Sequence, residues 1–240
     1  MVMRIGYHME GWDHLIVNAL LAKLLCMEES GLFPEVVELP NRGWTTVLQV
    51  LPMALQRFYR GCCQCAVVGI DNDGNADLVR DGTSEDPKHP RHWNHKEPSA
   101  DCRYCQLEAK LKLMRSGLTD LPEKPAATWP ILLAVPVESI EAWLLTLRAI
   151  ALGSGGVYFE KEKRSQLKLR FYGRPAATRA DVDDIALPLI RSASDGQLEQ
   201  LRSVCRSFGL FAQQIDSNRP MILGPRDCFT KGDGVATRAA

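Results

Sequence analysis

Apolar residues fall into short continuous runs separated by longer stretches of helical periodicity. The first run, residues 3–7, reads as a strand. Over residues 14–29, Leu15, Ile16, Ala19, Leu20 and Leu24 cover so much of the helix they predict that it is expected to be well buried, with Asp13 as its cap and Gly31 as its stop. Residues 36–39 predict a second strand. Over 47–60, Val47, Leu51, Leu55 and Phe58 share one helical face, with Thr45 or Thr46 as cap, a kink at Pro52 and Gly61 at the end. Val67, Val68 and Ile70 predict a third strand, apolar on both faces as central strands of parallel sheets are. A helix over 103–116 follows, with Leu107, Leu111 and Met114 inward, then a Pro-containing linker over 118–128 and an apolar strand over 131–135. That strand opens directly into a helix whose Ile140, Leu144 and Leu147 face the core. Alternating strands and helices predict a parallel α/β sheet. Residues 179–192 and 197–213 read as further helices with a break at Asp195-Gly196, and 216–240 as an irregular tail.

Charge changes the picture at the ends of the apolar runs. The third strand stops abruptly in Asp71-Asn-Asp73-Gly74, which puts two carboxylates at the carboxyl end of a buried strand, where open α/β sheets place their ligands. Two carboxylates so close repel each other unless a cation lies between them. Glu10-Gly11 follows the first strand, and Glu138 and Glu141, three apart on one helical face, follow the fourth. Acidic residues also favour helix N-termini through the dipole, so one of that late pair can be a capping residue only.

Composition excludes some classes. The 240 residues carry 29 Lys+Arg and 29 Asp+Glu, so no global charge draws the chain to nucleic acid, and any such partner must meet a local patch. The best patch is the basic stretch over 161–174, with Lys163, Lys168 and Arg174, against the plainer reading of a solvated helix face. Arg226 and Lys231 in the tail are two further cations for a substrate. No apolar run reaches the roughly 18 residues of a membrane helix and the N-terminus shows no signal-peptide pattern, which together predict a cytoplasmic protein without membrane contact. Its eight cysteines are then expected to be ligands or buried thiols, with Cys62, Cys63 and Cys65 as small buried hydrophobes. The polar stretch from Asn72 to Ser99 leads to His92-x-x-His95 and Cys102-x-x-Cys105, two nitrogens and two thiolates suited to a tetrahedral structural Zn²⁺; His89 can replace one histidine. The alternative is an unstructured loop with reduced cysteines.

Glu10-Gly11 after the first strand, Asp71-x-Asp73 after the third and the later acidic pair resemble the Toprim domain of topoisomerases, primases and OLD-type nucleases. Glu138-x-x-Glu141-Ala-Trp143 looks more specifically like small OLD-related Toprim proteins of bacteria, often encoded beside an ATPase. The resemblance covers residues 3–150, and a looser one continues through Leu167-Lys-Leu-Arg-Phe-Tyr-Gly173 and Cys205-Arg-Ser-Phe208. It implies a small doubly wound, mostly parallel Toprim-like sheet over residues 1–155, with the His/Cys loop inserted at 74–105 and a helical extension over 156–215. It further implies that Glu10, Asp71 and Asp73 hold Mg²⁺ or Mn²⁺, with Glu138 and Glu141 extending the site. Where the family carries an acidic residue four places after its first glutamate, this chain has His14, with Asp13 one place early and left to capping.

The chemistry then expected is hydrolysis of DNA or RNA phosphodiester bonds, with Glu10 as ligand or general base and a cation such as Lys168 near the leaving group. The implied setting is the effector half of an antiphage system. No Walker A pattern occurs, so the ATPase would be a separate subunit; homo-oligomerisation is left open. Two other classes stay in view. One is a Toprim-like module that binds a partner without cleaving. The other is a haloacid-dehalogenase-type phosphatase with Asp71 as nucleophile and Asp183-Asp184 as its late acidic pair, although that motif normally follows a first strand. An EF-hand over 71–82 fails at Ala76 and Gly82.

Overall fold

A computed structural model describes residues 2–37, 43–71, 103–115, 118, 127–155, 157–160 and 162–224. Four strands, β1 (Met3–His8), β2 (Leu32–Val36), β3 (Cys65–Gly69) and β4 (Ile131–Ala134), form one all-parallel sheet in the order β2-β1-β3-β4. The protein is α/β, as the alternation predicts. The strand order reverses between β1 and β3: the chain leaves β1 toward β2 and returns past it to build β3 and β4. That reversal is a topological switch point, where the carboxyl ends of neighbouring strands leave a crevice.

Period-two alternation sends each strand into two cores. On one face Ile5, Tyr7, Cys65, Val67, Leu132 and Ala134 join a core that includes α1 (Asp13–Leu25). On the other Ala66, Val68 and Leu133 meet α2 (Trp44–Arg60) and α3 (Arg103–Arg115). Gly6 lies under α2 because any Cβ there would overlap the Phe58 ring. Adjacent residues mark the two faces: the Tyr7 hydroxyl donates to Asn18 Oδ1 on α1 (2.8 Å), whereas His8 Nε2 donates to Val47 O on α2 (2.8 Å).

The remaining helices are α4 (Glu141–Ala151), α5 (Arg164–Tyr172), α6 (Arg179–Asp181), a π turn (Val182–Ala186), α7 (Leu187–Ser192), α8 (Asp195–Val204) and α9 (Arg206–Leu223). Their buried residues join the same core as α1 and α4. The side chain of Gln214 on α9 bonds both Leu133 N and Leu133 O (2.8 and 3.2 Å), so an amide covers backbone at the outer edge of β4, where an unpaired strand would otherwise be exposed. Among the described residues no helix is long and apolar enough to cross a membrane.

Several boundaries differ from the sequence reading. α1 stops at Leu25, not at 29, because Cys26 takes the left-handed conformation (φ 57°) and Met27 N bonds Ala22 O at 2.9 Å, closing the helix ahead of Gly31. β2 therefore begins at Leu32, four residues earlier than expected; as an edge strand it accommodates Pro34. α2 starts at Trp44 behind Gly43, so neither Thr45 nor Thr46 caps it. The break expected at Asp195-Gly196 falls two residues earlier, at Ala193-Ser194, where Ser194 and Gln197 form a capping box that starts α8 at Asp195; a second break falls at Cys205. α9 continues to Leu223, so residues 216–223 are helical rather than part of an irregular tail. Cys63 and Cys65 are buried as expected, while Cys62 is half-buried.

Candidate functional site

The carboxyl ends of β1, β3 and β4 are adjacent, and an acidic residue follows each. Glu10 lies two residues beyond β1. Gly11 behind it adopts φ 56°, a left-handed turn that suits glycine and swings the chain into α1. Asp71 lies two residues beyond β3 and is buried, its carbonyl accepting a bond from Arg103 Nη1 (2.6 Å) at the start of α3. Between them, Gly69 makes room for Met9: a Cβ there would overlap the Met9 side chain and press on Ala134 O.

After β4 come Glu138 and Glu141, both buried. They do not share the first turn of one helix, as their spacing suggested. α4 begins at Glu141, and Glu138 sits ahead of it at φ 64°, in a tight turn closed by Ser139 N–H donating to Val137 O (2.8 Å). A non-glycine residue at positive φ costs on the order of 1–3 kcal/mol, and such strain clusters where a side chain must be aimed. Here the turn brings Glu138 Oε2 to the backbone N–H of Arg164 (3.3 Å).

The N-terminal half of α5 closes the cluster. Arg164 Nε lies 3.2 Å from Asp71 Oδ2, and its Nη2 lies 3.8 Å from Glu10 Oε2. One helical turn on, Lys168 Nζ lies 3.6 Å from Glu141 Oε1. The basic stretch is therefore not simply a face open to phosphates: Arg164 and Lys168 point inward, while Arg170 and Arg174 pair with Glu162 (2.6 Å) and Asp181 (3.6 Å). Sequence reasoning missed Arg164. Its signal is the helical pattern Arg164, Leu167, Lys168, Phe171, Tyr172, in which the two cations share the phase of the three buried residues.

Asp13 was also missed. Trp12, not Asp13, is the N-cap of α1, and no side chain caps that helix; Asp13 is its first residue. Burial, then the charges of Glu141 and Glu10, push its carboxyl up to about 7, with Lys168 and Arg164 opposing. Asp71 is raised well above the usual carboxylate range by burial, then by Asp13 and Glu141, again against Arg164 and Lys168. Thus Glu10, Asp13, Asp71 and Glu141 share the field of two cations, with Glu138 held by a backbone N–H beside them, and Asp13 and Asp71 keep their protons to higher pH than isolated carboxylates do.

A raised folded-state pKa stabilises the fold below the unfolded value and loses that contribution as pH rises through the folded one. Asp13 therefore favours the native state most below about 3.8 and stops doing so above about 7. Burial lowers the pKa of His8, which gives the opposite slope below its ordinary 6.5, so the comparison must be between variants. In chelator, Asp13→Asn is expected to gain stability on wild type between about pH 5 and pH 8, by at most about 1.4 kcal/mol per pH unit for one proton. Denaturant midpoints at both pH values check this; parallel curves for the two proteins would refute the assignment.

Among the described residues, no group of three or more His, Cys, Asp or Glu is placed to hold a metal ion. Asp73, His89, His92, His95 and Cys102 lie outside the described residues, as do Arg226 and Lys231; Cys105 is buried in the first turn of α3. Asp183, half of the acidic pair required by the phosphatase reading, pairs with Arg179 (3.4 Å) on the surface. These features define an α/β protein with an acidic crevice at its switch point, in which two cationic side chains meet carboxylates from three strand ends. Comparison with family models, curated proteins and solved structures yields no match.

Proposed function

We propose that the chain is a metal-dependent nuclease of Toprim type, hydrolysing nucleic-acid phosphodiester bonds. The observation that carries this reading is the convergence of Glu10, Asp71, Glu138 and Glu141 from the ends of three adjacent strands onto Arg164 and Lys168. The donor set is all oxygen and suits a hard divalent cation such as Mg²⁺ or Mn²⁺. Its present geometry is shaped by the two basic side chains instead. Glu10, Asp71, Glu138 and Glu141, with Asp73, are the residues that would hold the ion, which supplies an activated water and charge relief on the phosphoryl oxygens. For its part, the chain offers Lys168 to neutralise charge beside Glu141 and Asp13 to carry a proton near neutral pH. The order of acidic residues along the chain supports the Toprim reading. Its corollary is an antiphage effector controlled by a separate ATPase, with Zn²⁺ on His92, His95, Cys102 and Cys105 as a structural ion in the inserted loop.

One observation favours a second reading. Both cations are already paired with the carboxylates, as in a module that docks a partner and cleaves nothing. Plasmid and tRNA cleavage with Mg²⁺ or Mn²⁺ separates the two, comparing wild type with Glu10→Ala and Asp71→Ala. Cleavage that both substitutions abolish supports the nuclease. Cleavage that survives both overturns the site, and no cleavage even with the partner ATPase favours the docking module. Metal analysis of the purified protein tests the loop, where less than about one zinc per chain contradicts a four-ligand site.

A further inference from the structure

Arg164 makes more contacts in the crevice than a surface arginine needs. Its guanidinium lies between carboxylates from two different strands, 3.2 Å from Asp71 and 3.8 Å from Glu10, while its backbone N–H holds a third, Glu138, at 3.3 Å. A divalent ion shared by Glu10 and Asp71 would need an oxygen of each within about 2.1 Å for Mg²⁺ or about 2.3–2.6 Å for Ca²⁺. The same two oxygens, Glu10 Oε2 and Asp71 Oδ2, now face the Nη2 and Nε of Arg164, so an ion bound to both would have to take the place of the guanidinium.

The site also has unmet polar demand apart from these contacts. Glu141 Oε2 and the Tyr172 hydroxyl are both buried and have no hydrogen-bond partner among the described residues. Tyr172 is 6% exposed, and after burial the charges of Glu141 and Asp13 act most strongly on it, so this hydroxyl belongs to the same crevice. A hydrated cation supplies what each lacks: positive charge for the carboxylate oxygen and a water oxygen for the hydroxyl.

Resting on the metal-dependent reading above, we propose that Arg164 is a displaceable internal cation, occupying the space between Glu10 and Asp71 that a divalent ion would take, so that Arg164 pairing and ion binding there exclude each other. Arg164 keeps the carboxylates together when no ion is bound and sets how tightly one binds. Its side chain is 36% exposed, so it can swing outward without unfolding its surroundings, whereas Lys168, at 17%, is the more enclosed partner. The displaced guanidinium would then lie at the crevice mouth, where it suits a phosphate.

Calorimetric titration of the full chain with Ca²⁺, which reads binding without turnover, tests this on wild type, Arg164→Gln and Arg164→Lys. Arg164→Gln is expected to bind Ca²⁺ at least tenfold more tightly than wild type, with Arg164→Lys in between because it keeps charge but loses the fork. In chelator Arg164→Gln should melt below wild type, and excess Ca²⁺ should close the gap. Wild type binding Ca²⁺ as tightly as, or more tightly than, Arg164→Gln overturns the role of Arg164 and leaves the metal reading standing. Absence of Ca²⁺ binding in all three proteins overturns both.

Discussion

On the proposed nuclease reading, Asp71→Asn is expected to lower nucleic-acid cleavage by roughly 10³-fold or more, the loss of several kcal/mol of charge stabilisation, while leaving the protein at least as stable as wild type near pH 7–8. The two halves of this expectation have one cause. Burial and the neighbouring Asp13 and Glu141 hold the Asp71 pKa well above the usual range, so above the ordinary carboxylate pKa this side chain is less favourable in the folded than in the unfolded chain. Asparagine has nearly the same shape, keeps an acceptor for Arg164 and carries no charge to repel its neighbours. Arg164 retains Glu10, so the substitution does not strand a cation. Cleavage kinetics with Mn²⁺ and thermal melting in chelator measure the two effects, each kcal/mol gained appearing as about 2–4 °C in Tm. A protein that loses both activity and more than about 1 kcal/mol of stability would show that the Arg164–Asp71 pair outweighs the repulsion, contrary to the electrostatics of the crevice. This opposition between activity and stability is what a functional cluster of like charges should produce.

The acidic residues were legible because each follows an apolar run. A strand buried on both faces announces itself by composition, and a carboxylate immediately after it lies at the sheet's carboxyl edge whatever the strand order. The order itself was not legible: nothing local in β1 or β3 states that they pair with each other. That pairing, Tyr7 beside Val67 and His8 beside Val68, is what makes Glu10 and Asp71 neighbours. Helix ends were misjudged where an unusual residue did the work. Cys26 in a left-handed conformation ends α1, a role for which Gly31 was the natural candidate. Glu138 was placed inside a helix because its distance from Glu141 fits one, and its positive φ cannot be seen in a residue type that seldom adopts it. In other places the signal was present. Ser194-x-x-Gln197 is a capping box, and it starts α8 at Asp195, two residues ahead of the expected start after Gly196.

The largest stability effect is expected far from the acidic residues, at a carboxylate that the sequence did not single out. Glu160 is fully buried, and its Oε1 accepts bonds from the Ser207 backbone N–H (3.3 Å) and the Ser207 hydroxyl, at the start of α9; Tyr158 and Cys205 also bond to its carboxylate. The Ser207 hydroxyl in turn accepts from Trp143 Nε1 (2.6 Å), two residues after Glu141 on α4, and the indole packs against Phe208 and Phe211 of α9. One buried carboxylate thus fastens the segment leading into α5 to α9, and through Ser207 to α4. Glu160→Ala would strand several of these donors in the interior and is expected to cost roughly 3 kcal/mol or more. Glu160→Gln keeps the shape and one acceptor oxygen. Since burial already raises the Glu160 pKa, a neutral side chain is tolerated there, and the cost should be about 1 kcal/mol. Urea midpoints rank the three proteins. Hydrogen exchange adds a test that a purely local defect would not pass: amides of 164–172 should exchange faster in Glu160→Ala, because the anchor that delivers Arg164 and Lys168 to the carboxylates has been cut. Glu160→Ala within about 1 kcal/mol of wild type, or unchanged exchange in α5, would separate this network from the site it is argued to hold in place.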